Sequence, residues 1–174
     1  MLTIGLFPLL IAGFVVKCTS PGPVIFWSQR IGRKNKPFMM AKFRTMWVDT
    51  PNVATHLLSN PRAYLTSVGK WYRKFSIDEI PQFWNVIKGD MSIVGPRPAL
   101  YNQDDLIILR TQKKVHLLRP GLTGWAQVCG RDTLSVQKKV EYDEYYLLHR
   151  KLSFDFRIIV LTICNVLSGK DVYH

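Results

Sequence analysis

The chain has 174 residues, enough for one domain with its own core and short for two. Its 47% hydrophobic and 21% charged content excludes global disorder, and 24 Lys and Arg against 12 Asp and Glu leave a net charge of +12. A surplus of that size points to a polyanionic partner, such as nucleic acid, an anionic membrane surface or phosphorylated substrates. Three cysteines without CxxC spacing and four scattered histidines argue against a disulfide framework and a zinc site, and fit a reducing compartment.

Residues 2–16 form an apolar run closed by Lys17. As a helix it would rise roughly 22 Å at about 1.5 Å per residue, short of the ~30 Å hydrocarbon core. Pro8 within it is expected to bend or break the helix. A signal peptide fits poorly, because no cationic segment precedes the run and no small-x-small site follows it. A buried core helix is the plain alternative. The segment downstream favours a re-entrant membrane hairpin over 1–19, with both ends on the cytoplasmic face. No acidic residue occurs before Asp49, whereas Lys17, Arg30, Arg33, Lys34, Lys36, Lys42 and Arg44 all do.

A proline-glycine turn at 20–23 leads to a strand over 24–30, a polar turn over 31–38 and a second strand over 39–46. Together these predict a β-hairpin carrying Lys42 and Arg44. Residues 47–68 show little periodicity, and their prolines suggest loop with short helical pieces. Further on, 99–118 hold a helix, 119–131 are punctuated by glycine, and 135–150 and 152–167 read as helices. The last is mostly apolar, with Asp155, Arg157 and Asn165 interrupting it, as in a helix lying at a membrane interface. Glycines 121, 124 and 130 permit backbone geometries that admit a close-lying ligand. The fold class is therefore mixed α/β and helix-rich, in a single domain.

The densest chemistry lies in SIDEIPQFWNVIKGDMSIVGPRP, residues 76–98. Ser76 with Glu79 three residues on is a capping-box pattern, with capping from Asp78 as the competing register because Pro81 follows. Taken alone, Asp78 and Glu79 read as helix-capping acids. Adjacent carboxylates repel unless a cation lies between them, and Mg²⁺ suits one or two carboxylates plus substrate phosphates. One Asp could then attack phosphorus while its neighbour holds the metal. Asp90 is a further acid in the stretch. Arg97, between Pro96 and Pro98, is presented with little backbone freedom and offers the bidentate fork that phosphate or carboxylate recognition uses. Arg73, Arg119 and Arg131 read individually as solvated or salt-bridged residues, and Asp155 as a helix cap or a functional carboxylate. Trp71, Trp84 and Trp125 read as core or interfacial anchors.

The segments SPGPVIFWSQRIG, KPFMMAKFRTM, GKWYRKFSIDEIPQFWNVIKGDMSIVGPRP, RPGLTGWAQVCGR and LSFDFRI resemble, in order, the bacterial sugar transferase family of monotopic polyprenyl-phosphate phosphoglycosyl transferases. The resemblance runs from about Pro8 to Leu167. It implies transfer of a sugar-1-phosphate from a UDP-sugar to undecaprenyl phosphate at the cytoplasmic face of the bacterial inner membrane, with Mg²⁺ as cofactor. UMP is released, and glycan assembly begins for downstream glycosyltransferases. By the same resemblance Asp78 is the nucleophile and Glu79 its metal-associated neighbour. Arg73, Arg97 and Arg131 lie near substrate phosphates or the nucleotide, Asp155 is a late acidic position, and Lys42 belongs to the KFRTM motif. Residues 1–19 correspond to the re-entrant membrane helix bent at Pro8, and 20–174 to the catalytic domain.

The chain departs from the family pattern in three places. Only seven residues precede Pro8, so that either the start lies upstream or the first limb of the hairpin is shortened. Phe7 stands where a serine is usual, and Cys129 where an asparagine is usual. Two other function classes stay open: a basic nucleic-acid-binding module, from the charge surplus, and an inactive membrane-interface scaffold, from the short N-terminal segment. Against nucleic acid, the arginines sit singly in proline-glycine turns and beside carboxylates.

Overall fold

The computed structural model describes residues 2–51, 60–130 and 133–168. It is a mixed α/β, helix-rich domain, as the patterning predicts. The described residues fall into two compact units. One is built from residues up to Trp27 and from Ala41–Gln82, the other from Ser28–Met40 and from Phe83 onward.

The first unit opens with helix α1 (Leu2–Thr19), which passes through Pro8 without interruption. This corrects the expected break. A proline withholds one amide donor, but its φ is compatible with helix and the hydrogen-bond ladder resumes beyond it. Among the described residues no helix is long and apolar enough to cross a membrane. α1 buries Ala12 and Val16 against Phe43 and Tyr72, with Val24, Val68, Ile77 and Ile80 packed around them. The Tyr72 hydroxyl donates to the Ala12 carbonyl at 2.9 Å, and its ring meets Phe43 edge-on. Buried Arg44 donates to both the carbonyl and the hydroxyl of Ser20, placing a cation at the C-terminal end of α1, where free carbonyls gather.

The predicted hairpin forms from β1 (Ile25–Ile31) and β2 (Pro37–Phe43), joined by a short turn in which Lys34 and Asn35 both take φ near 58°. Helix α2 (Gly69–Lys74) follows, and then a 3-10 segment over Ile77–Gln82. Its entry differs from the expected capping box. Ser76 adopts φ 54°, in the left-handed region, and its carbonyl rather than its side chain accepts the Glu79 amide at 3.1 Å. Pro81 inside this segment is tolerated because so short a helix needs few amide donors.

In the second unit, α3 (Phe83–Lys88) leads to β3 (Ser92–Val94), and β4 (Ala99–Leu100) pairs antiparallel with β1 at Arg30 and Ile31. Residues 99–118 hold the expected helix: α4 covers Asp104–Gln112, and Lys114 at φ 59° follows it before a 3-10 turn at Val115–Leu117. β5 (Gly121–Thr123) runs parallel to β3. α5 (Trp125–Cys129), α6 (Val136–His149) and α7 (Leu152–Ser168) complete the unit. Ser135 caps α6 by accepting the Lys138 amide. Val94, Leu118, Tyr146, Phe154 and Ile158 form one core cluster, and Ala99, Leu106 and Val140 another. The glycines at 121 and 124 allow a close backbone approach to Gly95. A β-carbon at Gly124 would lie 2.1 Å from the Gly95 carbonyl oxygen, and one at Gly121 2.2 Å from the Gly95 nitrogen.

Candidate active site

Four of the sequence-predicted site residues come together in the first unit. Lys42 projects from the end of β2, Arg73 from the last turn of α2, and Asp78 and Glu79 from the first turn of the 3-10 segment. The Lys42 Nζ donates to Glu79 Oε1 at 2.8 Å and lies 3.8 Å from Asp78 Oδ2. The three side chains are only 16%, 15% and 10% exposed, in the order Lys42, Glu79, Asp78. In such a setting a charge without a counter-charge is costly, and the ammonium is one of the cations that offset two adjacent buried carboxylates. The two acids are not equivalent, since Glu79 takes the short bond and Asp78 the longer approach.

Arg73 is held by its Nε, which donates to Thr45 Oγ1 at 3.0 Å. Burial pulls its guanidinium below the usual arginine range, while the charges of Asp78 and Glu79 oppose that shift. It therefore feels both carboxylates. Thr45 sets the placement of α2 as well as of Arg73. Its carbonyl accepts the Thr66 amide at 3.0 Å, and a β-carbon on Gly69 would fall 2.1 Å from that same oxygen.

Arg97 and Asp155 belong to the second unit. Arg97 lines a cavity of about 30 Å³ with Asn35, Arg110 and His116, room for a water rather than a nucleotide. Asp155 lies in the first turn of α7 and accepts the Tyr146 hydroxyl at 2.8 Å. It borders a cleft of about 470 Å³ that Arg33, Arg119, Arg150 and Lys151 also line. Arg131 lies outside the described residues. Asp90 is 3.3 Å from Lys88 Nζ, an ion pair within the second unit. Cys129 is half-buried, and burial raises its thiol while Arg157 opposes the shift. Trp125 packs among Tyr142, Tyr145 and Phe154 as a core residue, whereas Trp71 and Trp84 are exposed.

A family model for bacterial sugar transferases matches residues 1–169. The chain belongs to the bacterial sugar transferase family. Among its relatives, a Bacillus subtilis protein described as the uncharacterized sugar transferase EpsL is 39% identical, over 96% of this chain and 88% of its own length. The Aeromonas hydrophila UDP-N-acetylgalactosamine-undecaprenyl-phosphate N-acetylgalactosaminephosphotransferase is 40% identical over 97% of this chain and 42% of its own. The Escherichia coli K12 UDP-glucose:undecaprenyl-phosphate glucose-1-phosphate transferase is 41% identical over 91% of this chain and 36% of its own. The chain thus spans nearly all of one relative and about two fifths of the others.

In this bacterial sugar transferase, Asp78 and Glu79 supply two hard oxygen donors from adjacent positions. That is the number Mg²⁺ takes from a protein when phosphates and water complete its shell. Among the described residues no group of three or more acidic, histidine or cysteine side chains gathers that could hold a metal ion by itself. Sequence reasoning missed Thr45, Tyr146, Arg110 and Asp143. Only Asp143 leaves a trace in the sequence, as an acid on the apolar face that α6 presents through Val140 and Tyr146.

Proposed function

We propose that the chain transfers a sugar-1-phosphate from a UDP-sugar to undecaprenyl phosphate by a two-step displacement at Asp78. The observation that carries this reading is the largely buried Asp78–Glu79 pair held against Lys42. In the first step an Asp78 carboxylate oxygen attacks the sugar-bearing phosphorus. The bond from that phosphorus to the bridging oxygen breaks, and UMP leaves with the electron pair. In the second step a phosphate oxygen of undecaprenyl phosphate attacks the same phosphorus. The bond to Asp78 breaks, the carboxylate is regenerated, and the sugar is left on an undecaprenyl diphosphate.

Lys42 holds Glu79 in place and offsets negative charge as the donor phosphates enter. Arg73 does the same from α2, its fork already fixed on one side by Thr45. Asp78 and Glu79 would hold Mg²⁺, which when bound supplies neutralisation of phosphate oxygens. Arg97 and Arg131 contact the phosphates or the nucleotide, and Asp155 takes part in substrate binding. Residues 1–19 associate with the membrane from its cytoplasmic face through the exposed apolar side of α1, and 20–174 carry the chemistry. α7 lies along the interface, its exposed Leu152, Phe156, Ile163 and Leu167 toward lipid and its Phe154 and Ile158 toward the core. The lipid-linked sugar then passes to glycosyltransferases that extend surface polysaccharide or glycoprotein glycans.

The test is UMP release across a panel of UDP-sugars, with and without membrane-embedded undecaprenyl phosphate. Without acceptor, one UMP per protein is expected in a burst; Asp78→Asn abolishes both burst and turnover. Normal turnover by Asp78→Asn would overturn the mechanism.

A further inference from the structure

The Pro96-Arg97-Pro98 turn has few amide donors, because a proline has none. It is held instead through its carbonyls. The Gly121 amide donates to the Pro96 carbonyl at 2.9 Å. Arg110 Nη1 donates to the Arg97 carbonyl at 2.7 Å, and Arg30 Nη1 reaches the Pro98 carbonyl at 3.5 Å. On the upstream side the Gly95 amide donates to Thr123 at 2.9 Å.

Of these holds, the one on Arg97 itself is built from a buried ion pair. Arg110 sits in the last turn of α4, and its Nε and Nη2 both donate to Asp143 Oδ2, at 2.9 and 2.6 Å. Asp143 is 1% exposed and comes from the middle of α6. A buried charged pair is a poor investment for stability alone, since apolar residues of similar volume often do as well. What it adds here is direction. The planar guanidinium spends two donors on Asp143 and turns the third to a single backbone oxygen, a division of labour that an ammonium on a flexible stem cannot reproduce.

We propose that Arg110 and Asp143 are positioning residues for Arg97: the ion pair fixes the Arg97 carbonyl and so presents its guanidinium to a phosphate of the sugar donor. The inference rests on the assignment of Arg97 to phosphate binding made above. It adds a second layer, reaching from α6 through α4 to the turn, that sets how well Arg97 is preorganised.

The test is a double-mutant cycle of Arg97→Lys and Arg110→Lys in the full chain. UMP release is measured with undecaprenyl phosphate vesicles and whichever of UDP-glucose, UDP-galactose and UDP-N-acetylgalactosamine the parent turns over fastest. Arg110→Lys keeps a cation opposite Asp143 but loses the fork. We expect kcat/KM for the UDP-sugar to fall by on the order of 10²-fold, with the KM for undecaprenyl phosphate and the thermal midpoint near the parent's. In the Arg97→Lys background, Arg110→Lys should add little further loss, because the group it positions is already impaired. Losses that multiply would show that Arg110 acts independently of Arg97 and would overturn the proposal alone. Parent-like activity of Arg97→Lys and Arg97→Ala would remove the role of Arg97 and the proposal with it. Asp143→Asn, which keeps an acceptor but not the charge, should follow Arg110→Lys in its kinetics. A parent-like kcat/KM in folded Asp143→Asn would refute the part assigned to that carboxylate.

Discussion

At the scale of single residues, Tyr146 joins the core of the second unit to Asp155. Its ring packs in the cluster with Phe154 and Ile158, and its hydroxyl donates to Asp155. Burial first, and then the bond to Asp155, push the phenol well above its ordinary value of 10.0. The folded protein therefore keeps a proton that unfolded chains release above pH 10, so this contribution to stability is complete below pH 10 and declines as the pH rises beyond it. Tyr146→Phe should cost about 1 kcal/mol at neutral pH through the lost hydrogen bond. It should also show a shallower fall in urea midpoint between pH 10 and 12 than the parent. Equal slopes for the two proteins would mean that another group controls the alkaline limb. The same residue shows what a sequence reveals of a site. Asp78 and Glu79 stand out because they adjoin in the chain, whereas Lys42 and Arg73 are singled out only by the family resemblance. Tyr146 and Asp155 are partners across a helix-helix turn, and Arg110 and Asp143 lie 33 residues apart. No spacing rule links residues that meet only once their helices pack.

At the scale of elements, α2 is placed by a close approach rather than by propensity. Gly69 opens the helix directly over the Thr45 carbonyl, where a β-carbon would stand 2.1 Å from oxygen. Replacing a helical glycine by alanine ordinarily stabilises, by about 1 kcal/mol. Here backbone oxygen cannot yield, so α2 must shift, and Arg73 with it. Gly69→Ala is expected to lower stability by about 1–3 kcal/mol and to reduce UMP release beyond the loss of folded protein. Denaturant midpoints together with activity per folded molecule would check both, and a more stable, fully active variant would contradict the argument. The longer elements were readable in advance. α6 and α7 repeat apolar residues at helical spacing, and the first strand of the β1–β2 hairpin is rich in β-branched and aromatic residues before a polar turn. β3 and β5 were not, because three residues contain no measurable period and their pairing is set by the glycine contacts of Gly95 and Gly121. The left-handed Ser76 was equally hidden, since its side chain suggested a cap while its backbone makes a turn.

At the scale of the whole molecule, two physical contributions would bring the protein to a membrane, and they separate experimentally. The net charge of +12 attracts anionic lipid, and salt screens that attraction over roughly 8–10 Å. The apolar contribution does not screen, and α1 offers it on a face distinct from the one it packs with. Leu10, Ile11 and Phe14 are 59%, 49% and 69% exposed, while Ala12 and Val16 are buried against Phe43 and Tyr72. A helix whose exposed residues served only solubility would carry charge there. Burying one such side chain in lipid is worth about 1.5–3 kcal/mol, or roughly a tenfold change in partition or more. Leu10→Ser with Phe14→Ser should therefore reduce flotation with phospholipid vesicles by on the order of 10²-fold. It should do so at high salt as well as low, and with neutral as well as anionic lipid. The unfolding midpoint should hold, because the packed face of α1 is untouched. If flotation of the parent vanished in high salt, or if the double variant floated as the parent does, charge alone would be the anchor and α1 would not be embedded.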